Sequence, residues 1–166
     1  AATGQANPEG QFSAKVVLIT GATSGIGEAA ARAFAHEGAI VHFCGRRENL
    51  GNQVAQSIKA SGGKATYQKA DVREEADVKA LIDSCVERYG RVDIAFNNAG
   101  IDRPPASLAD TTTEVWDDII NTNARGIFLA MKYEIPQMLQ QQGGIIVNMS
   151  SIAGHRVFPG ISPYHA

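Results

Sequence analysis

After an apolar run at residues 16–19, and before a helical pattern, the chain reads Thr20-Gly21-Ala22-Thr23-Ser24-Gly25-Ile26-Gly27. Glycines at 21, 25 and 27 let the backbone turn sharply, approach a ligand closely and seat the next helix on a sheet. The first turn of such a helix presents unpaired backbone N–H groups and a partial positive charge, which is what a pyrophosphate needs. Three glycines can also make a plain turn, but the strand before and the helix after favour the nucleotide reading. The residues expected at the phosphates are Gly21, Thr23, Ser24, Gly25, Ile26 and Gly27. A P-loop is excluded, because Gly27 is followed by Glu28 and not by the Lys-Ser/Thr pair that loop requires.

One strand-and-helix unit later, proteins that bind NAD usually carry a carboxylate for the adenosine ribose. This chain has Gly45-Arg46-Arg47 there. A guanidinium pair in place of the carboxylate suits a 2′-phosphate, so NADP(H) is favoured over NAD(H), with Arg46 the expected contact. The plainer alternative is that both arginines are solvated charges opening the next helix. Further along, Asn123 falls on the inward stripe of a helical pattern otherwise carried by Trp116, Ile119, Ile120 and Ile127. A poor helix former turned towards a core must find partners or cost stability, and such conflicts mark either a satisfied core amide or a functional site.

The elements that must position these residues alternate between β-branched runs and helical periodicities, which predicts an α/β fold with a doubly wound, Rossmann-like parallel sheet. Strands are predicted near residues 16–19, 40–44, 65–68, 92–96 and 144–149. The first is apolar on both faces and so central. Ile26, Ala30 and Phe34 predict the inward face of the first helix, Leu50, Val54 and Ile58 that of the second, and Val78, Leu81, Ile82, Cys85, Val86 and Tyr89 that of the third. Residues 111–142 predict one long helix, kinked or restarted at Pro136. Ser162 and Pro163 open a further helix as N-cap and first residue. Residues 15–166 read as one dinucleotide-binding domain, expected to be truncated after its fifth strand. Residues 1–14, rich in Ala, Gly, Gln and Pro, read as a flexible leader.

The glycine turn, Asp71-Val72 after the third strand, Asn97-Asn98-Ala99-Gly100 after the fourth, Asn123, and Ser151 thirteen residues before Tyr164 occur in one order. This order resembles that of the short-chain dehydrogenase/reductase family, over residues 15–166. The resemblance implies that Asp71 holds the adenine amino group and Val72 packs on the ring, while Asn98, Ala99 and Gly100 line the nicotinamide ribose and brace the sheet. It further implies that Ser151 orients the substrate oxygen, that Tyr164 exchanges its proton beside the cofactor, and that Asn123 anchors a water in the proton relay. Chemistry agrees: hydride reduction of a carbonyl needs a proton donor to the developing alkoxide and a second hydrogen bond to stabilise it, and a phenol with a hydroxyl supplies both. The family pattern also has a lysine four residues after the tyrosine, two positions beyond Ala166. A homotetramer or homodimer, formed through the long helix and the one Tyr164 begins, is likewise implied.

Composition limits the alternatives. Of 166 residues, 44% are hydrophobic and 19% charged, an ordinary globular balance. With 15 Lys plus Arg against 17 Asp plus Glu, the formal charge of -2 supplies no positive field for nucleic acid. No apolar run approaches the roughly 20 residues a membrane span needs. Cys44 and Cys85 have no metal-ligand or CxxC spacing, so no metal site is expected and a reducing, cytoplasmic location is favoured, with export the alternative the leader leaves. The expected function is hydride transfer between a nicotinamide cofactor and a small ketone, aldehyde or secondary alcohol. Two alternatives are a non-catalytic nucleotide-binding sensor or scaffold and a sugar-nucleotide epimerase. The loops at residues 101–105 and 155–160, with Phe158 and Ile161, are expected to border the substrate mouth.

Overall fold

The computed structural model describes residues 4–166. Its elements run β1 (Val16–Ile19), α1 (Gly25–His36), β2 (Ile40–Gly45), α2 (Glu48–Ala60), β3 (Lys64–Lys69), α3 (Glu75–Tyr89), β4 (Ile94–Asn97), α4 (Thr113–Ile120), a π-helical turn (Asn121–Arg125), α5 (Gly126–Gln140), β5 (Ile145–Asn148) and a short α6 (Ser162–His165). The five strands form one parallel sheet in the order β3-β2-β1-β4-β5. From β1 the chain winds outward to β3, then crosses to β4 on the other side, so the order reverses between β1 and β4.

Helices cover both faces of the sheet centre, and β1 carries the reason in its own residues. Val16 and Leu18 join the core formed with α3 and α5 (Leu81, Cys85, Leu129), whereas Val17 and Ile19 join the core formed with α1 and α2 (Ala31, Val54, Ile58). A strand buried on both faces can afford no polar alternation, which is what its sequence displays. At the sheet edge β5 is barer, with Ile145 and Val147 exposed.

Three expectations are corrected. The fully buried residues of α1 are Gly27, Ala31 and Ala35; Ala30 and Phe34 pack half-buried against the same core, whereas Ile26 is 64% exposed. Small residues let this helix lie close on the sheet, leaving Ile26 to border the cleft described below. Leu50 is likewise exposed on α2, although Val54 and Ile58 are buried as predicted. The long helix runs unbroken through Pro136; its irregularity is the π turn ten or more residues earlier, around Asn123. Pro136 is exposed, so the helix forfeits one amide bond at a position where water can satisfy the freed carbonyl.

Residues 4–14, the described part of the expected flexible leader, lie against the ends of α1 and α2. Ala6 donates its amide to Ser61, Asn7 to His36 and Phe12 to Glu37, each to a backbone carbonyl. Helix C-termini leave such carbonyls without intrahelical donors, which gives the segment its docking site. The Phe12 ring packs edge-on against Phe34 at 4.8 Å between centroids. Residues 1–3 lie outside the described residues.

Candidate functional site

An open cleft of about 610 Å³ runs along the carboxyl ends of the strands, where the strand order reverses. This is the position at which open α/β sheets bind ligands. Gly21 and Gly25 adopt φ of 70° and 60°, the left-handed region that costs other residues energy. A Cβ on Gly21 would stand 2.7 Å from the Ala99 Cα, and one on Gly27 would stand 2.5 Å from both the Gly21 carbonyl oxygen and the Asn98 side-chain Nδ2. The glycine turn and the loop after β4 are thus in direct contact. Thr20, almost wholly buried, accepts on Oγ1 from the amides of Asn98 and Ala99, while the Asn98 side chain donates to the carbonyls of Thr20 and Gly21.

Ser24 precedes α1 in an extended conformation without a side-chain cap, so the amides of the first turn keep their donors for a ligand. Gly21, Thr23, Ser24, Gly25 and Ile26 line the cleft; Gly27 lies behind them as packing. Arg46 and Arg47 both line it too, but only Arg47 is joined to the turn, donating from Nη2 to Thr23 Oγ1 at 3.1 Å and Ser24 Oγ at 2.5 Å. Asp71 and Val72 occupy the β3 side of the cleft. Burial pushes the Asp71 carboxyl up, but hydrogen bonds and charge from Arg73, with Arg46 adding to them, outweigh it and hold the group below its ordinary value. No cluster of potential metal ligands occurs among the described residues.

At the other end, a second hollow of about 370 Å³ brings together Asn98, Ala99, Gly100, Asn123, Ser151 and Tyr164. Tyr164 lines both hollows and stands at their junction. Ser151 caps a one-turn 3-10 helix (Ile152–Gly154), accepting from the Ala153 amide at 3.2 Å, which leaves its own proton to donate. Asn123 is matched to Ile101 in both directions, accepting from its amide and donating to its carbonyl, each at 2.8 Å. The inward amide is therefore satisfied, and it fixes the loop after β4 to the π turn.

Two residues at the site carry no signal in the sequence pattern. His165 places Nε2 2.9 Å from the Phe158 amide nitrogen and 3.0 Å from the Phe158 carbonyl oxygen, and Nδ1 2.6 Å from the Ala153 carbonyl. It thereby ties the loop after Ser151 to the turn that bears Tyr164. Glu134 lies fully buried beneath the β4 end, accepting from Asn97 at 3.0 Å while its other oxygen has no partner. Burial pushes its carboxyl up to about 7, against the weaker opposing bond from Asn97.

Glu134 yields a pH prediction. The folded chain keeps this proton to higher pH than the unfolded chain does, so stability falls as pH rises from about 4.5 to about 7 and then levels. The span corresponds to about 3 kcal/mol. In Glu134→Gln, denaturant unfolding at pH 8 should show a gain of that order over the unsubstituted chain, with the two nearly equal at pH 4.5. Equal stability at both pH values would remove the buried carboxyl from the account.

Comparison with known proteins adds to this geometry. A family model described as short chain dehydrogenase matches residues 15–166. The chain is 41% identical over 157 residues to a 3beta-hydroxysteroid dehydrogenase of Mediterraneibacter gnavus, covering 95% of this chain and 56% of that protein. It is 40% identical over 156 residues to a cyclohexanol dehydrogenase of an Acinetobacter species, covering 94% of this chain and 62% of the relative. Among solved structures, it is similar to an NAD+-bound xylitol dehydrogenase at a TM-score of 0.90 and 32% identity, over 93% of this chain and 60% of the other. The chain thus spans about three fifths of the length of the relatives it matches.

Proposed function

Because the chain belongs to the short chain dehydrogenase family, we propose that it is the dinucleotide-binding and proton-transferring part of an NAD(P)-dependent oxidoreductase. Its reaction interconverts a ketone or aldehyde with an alcohol. The observation that carries this reading is the position of Tyr164, at the junction of the glycine-lined cleft and the hollow that holds Ser151. The cleft fits the cofactor: it has uncapped helix amides for a pyrophosphate, a turn whose positive-φ glycines line it, and a volume within the ~300–1,000 Å³ usual for such ligands.

When bound, the nicotinamide dinucleotide supplies or accepts the hydride. In the reductive direction Tyr164 donates its phenolic proton to the substrate oxygen, and Ser151 donates a hydrogen bond to the same oxygen as charge develops. The Thr20, Asn98 and Asn123 hydrogen bonds hold the loop after β4 in register with both residues, and Asn123 is the residue assigned to the proton relay. Gly21, Thr23, Ser24, Gly25 and Ile26 cradle the pyrophosphate, with Gly27 seating the helix behind them; Asp71 and Val72 receive the adenine; Asn98, Ala99 and Gly100 border the nicotinamide ribose.

NADP(H) is the preferred form, supported by Arg46 and Arg47 at the end of β2, where a ribose-binding carboxylate is missing. Since Arg47 is engaged by Thr23 and Ser24, Arg46 is the guanidinium left to meet a 2′-phosphate. Arg46→Asp should shift the ratio of NADPH to NADH dissociation constants by roughly tenfold or more towards NADH, the value of one charge-assisted hydrogen bond. Titration of nicotinamide fluorescence reads that ratio, and an unchanged ratio removes the 2′-phosphate assignment.

The substrate is a small carbonyl compound or alcohol. A homodimer or homotetramer through the α4–α5 side is supported by Phe128, Ile135 and Leu139, which stand exposed along α5. No helix among the described residues is long and apolar enough to cross a membrane. A cytoplasmic location is supported by Cys44 and Cys85, both buried and unbridged.

A further inference from the structure

A dinucleotide whose phosphates lie at the β1 turn must extend one nucleoside towards β4 and β5 and the other towards β2 and β3. Tyr164 and Ser151 fix the reacting end on the β5 side, so the adenosine half falls beside Arg46 and Asp71. Asp71 does not act there alone. Arg73 grips its carboxylate from one side, with Nε 3.0 and 3.1 Å from the two oxygens and Nη2 2.6 Å from Oδ2. The remaining Nη1 donates at 2.6 Å to Asp118 of α4, 45 residues away in sequence, and Arg125 of the π turn donates to the Arg73 carbonyl.

Asp118 has a second partner. Its other oxygen accepts from Arg103 in the loop after β4, whose Ile101 and Asp102 line the same cleft. The result is a continuous chain of alternating charges from the adenosine end, across α4, to the loop that borders Tyr164. We propose that Arg73, held in place by Asp118, is a positioning residue for the adenosine half of the cofactor. This rests on the dinucleotide reading above.

Two physical effects follow from the arrangement. A bidentate guanidinium fixes the plane of the Asp71 carboxylate, so its outer lone pairs keep one direction towards a hydrogen-bond donor in the cleft. It also neutralises a carboxylate that stands in the field of Arg46 and would otherwise oppose a phosphorylated ribose. An exposed ion pair gains little by itself, since side-chain entropy and solvent screening offset it. Here Asp118 restrains the guanidinium directly, Arg103 fixes Asp118, and Arg125 fixes the Arg73 backbone.

The test compares dissociation constants of the full chain and of Asp118→Asn for two probes, NADPH and reduced nicotinamide mononucleotide. Asp118→Asn, nearly isosteric, should weaken NADPH by roughly five- to tenfold, the equivalent of one lost hydrogen bond, and leave the mononucleotide within about twofold. Arg73→Lys, which keeps the charge but not the fork, should weaken NADPH similarly, and the double variant should be no weaker than the worse single one. Unchanged NADPH binding in Asp118→Asn, or an equal loss for both probes, overturns the inference. An unsubstituted chain that binds neither probe overturns the dinucleotide reading itself, and so separates the two failures.

Discussion

Tyr164→Phe should reduce carbonyl turnover by roughly a thousandfold, within the range general acid catalysis contributes, and leave NADPH affinity unchanged. The reasoning is geometric. Tyr164 borders both hollows, so its phenol can reach a substrate seated against the nicotinamide end, whereas the phosphate cradle is built from the backbone amides of the β1 turn and the first turn of α1. Removing one oxygen deletes the proton donor and little else. Ser151→Ala should cost less, about a hundredfold, because it removes one stabilising hydrogen bond and leaves the proton path intact. Steady-state kinetics with a separate binding titration check both. Retained turnover in Tyr164→Phe would take this residue out of the mechanism.

The second large effect concerns two glycines two residues apart. Gly27→Ala places a methyl 2.5 Å from the Gly21 carbonyl oxygen and 2.9 Å from the Ala22 Cα, contacts with backbone that cannot rotate away. The helix must move off the turn, at a cost of about 3 kcal/mol and of at least roughly tenfold in dinucleotide affinity. Gly25→Ala meets nothing within 4 Å; its only penalty is the φ of 60°, about 1 kcal/mol. Denaturant midpoints and nucleotide titrations of the pair should therefore differ sharply, although motif spacing alone ranks the two glycines equally. Similar losses in both variants would mean that the turn and the loop after β4 are not in the contact described.

How far the sequence displays this molecule depends on how local each feature is. The both-faces-apolar β1, the helical repeat of Val78, Leu81, Ile82 and Cys85, and the glycine turn between strand and helix are all contained in short windows, and the structure has them where periodicity puts them. Ile26 misleads because periodicity cannot tell a core face from a ligand-facing one: it lies one residue from the buried Gly27 and points to the cleft rim. Pro136 misleads for a related reason, since an exposed proline in a long helix is tolerated, while the real irregularity comes from the π turn at Asn123.

Features made by residues far apart are invisible to a window. Arg47 reaching Thr23 and Ser24, Arg73 reaching Asp118, and Glu134 meeting Asn97 each join segments more than twenty residues apart. The docking of residues 4–14 belongs to the same class, because a polar, Gly- and Pro-bearing composition says nothing of the helix-end carbonyls waiting for its amides. Family resemblance supplies an order of motifs; it does not supply Arg73 and Asp118, whose pairing had to be seen in three dimensions.

The central claim is hydride transfer between a nicotinamide and a carbonyl carbon beside Tyr164. Its most direct test is incubation of the full chain with NADPH carrying deuterium at both C4 positions and a panel of small ketones and aldehydes, followed by mass spectrometry of the alcohols formed. The account predicts one deuterium on the carbinol carbon of product, and roughly a thousandfold slower formation of that product with Tyr164→Phe. Bound cofactor that yields no alcohol, or alcohol that carries no deuterium, would contradict it.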